Sequence, residues 1–344
     1  MQMRQTVINR RPIVLAAIFA AVTAFIPIDE GAIADVPSSW SAEWPKTDFK
    51  KTNIKLNTIM SGGPKRDGIP PIDKPVFATV GQAAMKGLGK LEPVVSVNFN
   101  GDARAYPIRM LMWHEIVNDK VGGMPVSVTF CPLCNSAVVF DRRLDGLVLD
   151  FGTTGKLRKS DMVMYDRQTE SWWQQFLGKA IVGKLAGKVL KMLPMRMESF
   201  ERFAARHPKG RVLIPNNDRM RPYGRNPYRR YDSRSKPYFP VGGLPKGVPP
   251  LERVVVIGKQ AWTFSLLRDK RKLTVGPYVI VWEKGQASAL DAGVIKDGRD
   301  VGNVIVQKKG KDGKLVDAVH DVSFAFAFHA FHPDGKIHSL APKK

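Results

Sequence analysis

The chain has 344 residues, with 54 Lys plus Arg against 31 Asp plus Glu, two Cys and 44% hydrophobic residues. The length allows one large domain or two ordinary ones, the apolar content excludes wholesale disorder, and two cysteines exclude a disulfide-dense scaffold or a four-thiolate cluster. The net charge of +23 predicts a surface that attracts anions, without saying which.

The first 34 residues read as an export signal. Arg4, Arg10 and Arg11 precede an apolar stretch over 12–26, too short for a comfortable membrane span. Ala32-Ile33-Ala34 supplies the small residues a signal peptidase reads, which predicts cleavage after Ala34 and a periplasmic location. Arg10-Arg11 before the apolar run also suits twin-arginine export, although Pro12 directly after the pair does not. Removing this leader takes away three Arg and two acidic residues, so the mature charge is still +22.

Residues 35–90 read as an N-terminal arm, with turn dipeptides at Ser61–Pro64 and Asp67–Pro70. A first half follows over 91–214. The segments 92–99 and 103–108 read as a hairpin around Asn100-Gly101, and 109–118 as a short helix. Beyond it the pattern is strand, Cys131-Pro-Leu-Cys134 knuckle, strand, and then a further strand after Asp145-Gly146. Helical patches broken by Gly and Pro are expected over 171–206. Residues 215–250, rich in Pro, Arg and Tyr, read as a long connecting loop.

A second half over 251–344 echoes the first. Leu91-Glu92-x-Val94-Val95 returns as Leu251-Glu252-x-Val254-Val255, and Ala105–Ile108 aligns with Trp262–Ser265. Ser199-Phe200 followed by His207-Pro208-x-Gly210 returns as Ser323-Phe324 followed by His332-Pro333-x-Gly335. The second half is shorter and has no counterpart of His114-Glu115 or of the cysteine pair. The fold expected is α+β, with a mostly antiparallel β core, short helices and two related halves.

Cys131 and Cys134 carry the strongest chemical signal, and three readings of them stand open. A thiol redox centre needs a depressed thiol pKa, normally at a helix N-terminus. The β-branched run after Asn135 argues for a strand instead. A metal knuckle between strands points both sulfurs at one ion, and Asn135 tolerates the left-handed backbone that such a turn needs. In an oxidising compartment the pair can also close a small structural disulfide.

Two thiolates are half a tetrahedral site, and His114 is the expected third ligand, with Glu115 beside it. Neighbours on a regular helix diverge by roughly 100°, so one pocket cannot take both His114 and Glu115. The segment 160–173 sets Asp161, Asp166, Arg167, Thr169 and Glu170 among Met, Tyr and Trp, which suits an aromatic-walled carboxylate pocket. A plainer account makes Asp166 and Arg167 an ion pair and Thr169 a helix cap. The segment 219–236 interleaves Arg with Tyr in a pattern that can neutralise a polyanion. In an exported protein, anionic envelope lipids or cell-wall polymers fit that pattern better than nucleic acid. His329 and His332 have metal-pair spacing, but their aromatic surroundings favour core packing. The sequence has no GxGxxG after a strand, no P-loop, no HExxH and no GxSxG.

Taken together, SGGPKRDGIP, ARAYPIRMLMWHEIVND, TFCPLCNSAVVFDR, MYDRQTESWWQ, RPYGRNPYRRYD and FAFHAFHPDG make a specific set of motifs. The chain resembles a bacterial exported family known only as a domain of unknown function (number 3179), from about Ser61 to His338. The resemblance implies that His114, Glu115, Cys131, Cys134 and Asp166 belong to the family pattern, and it implies no activity. The family typically has Gly where this chain has Asn135, and Trp-rich positions where it has Phe326 and His329.

The reading that follows is an exported soluble protein with a metal-binding or thiol-redox site. Its ligands are Cys131, Cys134 and His114, its metal zinc, copper or iron, and Glu115, Asp141 and Asp166 are outer candidates. Catalytic candidates are His114, Glu115, Asp166 and Glu170. The alternative is a non-catalytic envelope-binding protein with a basic surface and a structural disulfide.

Overall fold

The sequence around Asn100-Gly101 folds as its turn chemistry dictates in the computed structural model, which describes residues 36–310 and 312–340. Strands Pro93–Phe99 and Asp102–Pro107 form an antiparallel hairpin with Val94 opposite Pro107. Both central residues take positive φ, at 52° and 81°, which an Asn-Gly pair supplies at low cost. Pro107 then caps a seven-residue helix, Ile108–His114. The helix expected to reach 118 stops there, because Glu115 adopts φ 58° and the β-branched pair Ile116-Val117 begins a strand. Strands Ile116–Val121, Met124–Cys131 and Ser136–Asp141 make an antiparallel meander. The chain later returns through strand Arg196–Ser199, antiparallel on the first hairpin strand. Helix Phe200–Arg206 follows, and strand Arg211–Ile214 runs parallel to the second hairpin strand.

The same order of connections occurs again downstream. Strands Arg253–Ile257 and Gln260–Thr263 form a hairpin, followed by helix Phe264–Lys270. A meander of Lys272–Val275, Tyr278–Glu283 and Asn303–Lys309 comes next. Strand Asp321–Phe324 then pairs antiparallel with the hairpin, helix Ala325–Phe331 follows, and Lys336–His338 closes the sheet in parallel. Each returning strand lies beside the meander of the other set: Arg196–Ser199 beside Asn303–Lys309, and Asp321–Phe324 beside Ser136–Asp141.

The molecule is therefore mostly antiparallel β with a few short helices, none of the described α-helices exceeding seven residues. This agrees with the mostly antiparallel β core and short helices expected. The five larger sheets look like a five-bladed propeller, with one parallel strand pair in each of two blades. In place of the helical patches expected over 171–206 there are three short strands, Trp172–Gln174, Lys179–Val182 and Arg196–Ser199, with turns between them, before the one helix. Glycine and proline interrupt that stretch too often for a helix to repay its nucleation cost. Trp172 and Trp173 instead pair across to Tyr165 and Met164.

One apolar core runs through both sets of sheets, from Val95 and Phe130 to Val255 and Phe326. A second cluster joins the arm to the sheet inserted after Asp141: Trp44, Phe49, Leu56 and Ile59 pack on Tyr165, Trp172 and Val182. Each fully buried large side chain of this kind contributes roughly 1.5–3 kcal/mol. The segment 215–250 holds a single short 3-10 turn, Tyr231–Ser233. The export signal expected over 1–34 lies outside the described residues. No helix among the described residues is long and apolar enough to cross a membrane.

Candidate metal centre

Cys131 is the last residue of its strand and Ser136, its cross-strand partner, opens the next. The four residues between them form a tight knuckle. Cys134 N donates to Cys131 O at 3.2 Å, Asn135 N donates to Pro132 O at 3.3 Å, and Asn135 takes φ 50°. The left-handed role expected of Asn135 is therefore the one it has. The knuckle is anchored from outside as well. Phe324 N donates to Cys134 O at 2.8 Å, and the Tyr231 hydroxyl donates to Leu133 O at 2.9 Å.

A second turn faces the knuckle. Arg158 and Asp161 pair across a two-residue loop, Lys159-Ser160, whose φ values are 54° and 63°. Neither residue is one that such a turn favours, so this turn stores strain. It sets the Ser160 carbonyl 3.3 Å from Cys134 Sγ and Asp161 beside both sulfurs. Single ligand atoms of Cys131, Cys134 and Asp161 all lie within 4.8 Å of one another, and all three residues are buried. A tetrahedral ion with ~2.3 Å bonds to sulfur spaces its ligands about 3.8 Å apart, a spacing that falls within the 4.8 Å limit of this group.

The polar accounting points the same way. Asp161 Oδ2 accepts from Gln174 Nε2 at 2.6 Å and from Phe176 N at 3.0 Å. Among the described residues Asp161 Oδ1 is buried with no hydrogen-bond partner, which is costly unless a cation or a proton answers it. Burial pushes the Asp161 carboxyl up to about 6, against the hydrogen bonds from Gln174 and Phe176 that lower it. Burial also raises both thiols, that of Cys134 strongly. Both cysteines are free. A buried thiol with a raised pKa at a strand end lacks the helix dipole and the exposure that a thiol redox centre uses.

Two more acids surround this group without joining it. Asp321 arrives from the downstream set, accepting from Ser136 Oγ at 3.0 Å and Ala137 N at 3.2 Å; burial pushes it up to about 8. Glu115 is likewise pushed up to about 8, by burial first and by the charge of Asp161 second. Among the described residues its carboxylate has no hydrogen-bond partner, and it lines a cavity of about 220 Å³. Leu133 and Met162, the sequence neighbours of the cysteines and of Asp161, line the same cavity with Tyr228 and Phe239.

The other expected site residues lie elsewhere. His114 is buried, but Nδ1 donates to Pro70 O at 2.7 Å and Nε2 accepts from the Tyr223 hydroxyl at 2.8 Å, so both nitrogens are engaged away from the sulfurs. The third member of the cysteine group is Asp161 instead. Asp166 closes its own turn, accepting from Thr169 N at 2.6 Å and Trp173 Nε1 at 2.9 Å. Thr169 caps no helix, and Arg167 pairs with Asp73 at 2.7 Å rather than with Asp166. Glu170 pairs with Arg66 at 3.0 Å. Asp141 pairs with Arg143 at the far end of its strand. His332 packs against Phe176 and Phe328, as its aromatic surroundings suggested.

The family model described as "Protein of unknown function (DUF3179)" matches residues 66–335. The chain belongs to this family. In this DUF3179 chain the match takes in the knuckle, Asp161, Glu115 and Asp321 alike. No curated protein and no solved structure matches the chain.

Proposed function

We propose that this protein holds a zinc-class divalent ion on Cys131, Cys134 and Asp161, with Glu115 as the proton-handling group of an adjoining small cavity. The observation that carries the reading is the buried triad itself, two thiols and a carboxylate with one oxygen unanswered. Two sulfurs and a carboxylate oxygen suit zinc or ferrous iron better than copper(I), which prefers an all-sulfur set. Three protein ligands leave a fourth position for water or substrate, the arrangement of catalytic rather than structural sites. Glu115, unbonded and beside the triad, suits the exchange of a proton with a bound water. Metal analysis with a thiol count on the natively produced full chain tests this. Stoichiometric metal lost in Cys131→Ser and Asp161→Asn but kept in Glu115→Gln supports it. Metal-free wild-type protein with a quantitative Cys131–Cys134 disulfide overturns it.

We also infer that the scaffold is an internal duplication of which one copy carries the site. Its support is the repeated connectivity and the repeated detail within it. Phe200 N and Ala325 N donate to the carbonyls of Glu92 and Glu252, both at 2.9 Å. Gly210 and Gly335 sit in the same His-Pro-x-Gly turn, each under a phenylalanine ring. Equivalent helix starts align Pro107 with Thr263 and Ser199 with Phe324. Two of the sequence echoes are thus shifted by one residue. In this alignment Cys131 corresponds to Glu283, and a long loop, 284–302, replaces the knuckle. Asp161 belongs to the sheet inserted between Asp141 and Arg196, for which the downstream copy has no counterpart.

A further inference from the structure

The first residues of the Arg- and Tyr-rich segment have no part in the metal reading, and they line a separate cavity of about 300 Å³. That volume is at the lower end of small-molecule sites, ~300–1,000 Å³. The walls are largely apolar, with Leu88, Met110, Leu213 and Ile214 among them. The charged groups at its edge mostly cancel. Arg109 is paired with Glu92, and Lys86 lies 3.5 Å from Asp218. Arg221 is the exception: among the described residues it has no ion-pair partner, and its Nε is buried without a hydrogen bond. A half-buried guanidinium left unpaired beside apolar walls is costly unless a ligand completes it.

The loop that carries Arg221 is held in place. Tyr223 N donates to Arg221 O at 2.8 Å, and Ile295 N donates to Gly224 O at 2.9 Å. Gly224 takes φ 90°, a backbone conformation that strains any side chain, and a Cβ there would stand 3.2 Å from the Arg109 guanidinium. Beside Arg221 the Tyr223 hydroxyl donates to His114, which in turn donates to Pro70 O. That chain leaves the lone pairs of the Tyr223 oxygen as acceptors and spends its proton on His114. The cavity therefore offers one forked cationic donor, one fixed hydroxyl and an apolar trough.

We propose that this cavity binds a small monocarboxylate with a short apolar tail, its carboxylate on Arg221 and its tail against Leu88, Met110, Leu213 and Ile214. Arg pairs with a carboxylate in a planar fork, which a point charge does not reproduce. The site is independent of the metal group, because none of its lining residues belongs to that group.

Calorimetric titration of the full chain with hexanoate tests the proposal, with hexanol and hexylamine as comparators. One hexanoate per chain is expected, with hexanol and hexylamine each at least about tenfold weaker. Arg221→Met is expected to weaken hexanoate by about tenfold or more, and Arg221→Lys by less. Absence of hexanoate binding to the wild type overturns the proposal. So does hexanol binding as tightly as hexanoate, or a folded Arg221→Met variant that binds like the wild type. Binding at several equivalent sites per chain counts as surface charge alone and also overturns it. If Arg221→Met fails to fold, the lysine variant and the hexanol comparison on the wild type still decide.

Discussion

Glu115 and Arg271 stand at the same place in the two repeats of the connectivity. Each ends a seven-residue helix at positive φ, 58° and 61°, and each carbonyl accepts a strand N–H at 2.8 Å, from Phe130 and Trp282. Their side chains then part. Arg271 is exposed and lies 4.7 Å over the Trp282 ring, whereas Glu115 is buried and faces a cavity. The strained backbone thus belongs to the scaffold, and the carboxyl group belongs to the site.

Glu115→Gly is accordingly expected to stabilise the protein by roughly 0.5–1 kcal/mol, since glycine takes positive φ freely. Arg271→Gly should gain less, because it also gives up the contact with Trp282. Urea denaturation of both variants checks this. A folded Glu115→Gly protein less stable than the wild type contradicts the assignment of strain to that position.

Stability should fall as pH rises from about 6.5 to about 8, above the range in which the histidines held below their ordinary 6.5 act in the opposite sense. Glu115 and Asp321 are held at about 8 in the folded protein, above their ordinary values of 4.5 and 3.8. Between those limits the unfolded chain has lost protons that the folded chain keeps, so the slope of unfolding free energy with pH is negative. Calorimetric melting across that window, in chelator, is expected to show a falling Tm and a shallower fall in Glu115→Gln and Asp321→Asn. A Tm that rises over the same range contradicts the burial argument.

The turn that presents Asp161 is built from Lys159 and Ser160, both left-handed. Replacing Ser160 alone with glycine is expected to stabilise the fold by about 0.5–1 kcal/mol, because glycine takes positive φ freely, while Lys159 is kept because its Nζ donates to Ala330 O. The Ser160 carbonyl that faces Cys134 is main chain and survives the change. Denaturation midpoints measured with and without metal check it, and a loss of stability argues against strain in this loop.

Gly210 and Gly335 offer a test of the proposed duplication. A Cβ at either would stand 2.6 Å from a phenylalanine ring, Phe203 or Phe328, and 2.9 Å from the carbonyl of His207 or His332. Alanine at each is expected to cost about 1–3 kcal/mol. Costs that differ greatly between the two would weaken the equivalence.

Much of the local structure was legible because it rests on local rules. Asn100-Gly101 makes the hairpin turn, Asn135 takes the left-handed position, and the β-branched run after it forms a strand. The cysteine knuckle between strands followed from those same residues. What failed is what depends on distance in sequence. Asp161 was visible as one acid among several near Trp172 and Trp173, but nothing local says that its strand lies against Cys131. Asp321 comes from the other repeat, 185 residues beyond the Ser136 it accepts from. His114 looked like the nearest ligand because it is near in sequence. The break at Glu115 separates the two neighbours, with His114 bound to Tyr223 and Glu115 facing its own cavity.

The central claim is that Cys131, Cys134 and Asp161 hold one metal ion. Cobalt(II) titration of the reduced full chain, followed by absorption, tests it most directly. The account predicts thiolate-to-cobalt charge-transfer bands in the near ultraviolet and tetrahedral bands in the visible, saturating at one cobalt per chain. Both should disappear in Cys131→Ser and shift or weaken in Asp161→Asn. Cobalt that binds without a thiolate band, or a band that survives Cys131→Ser, would contradict it.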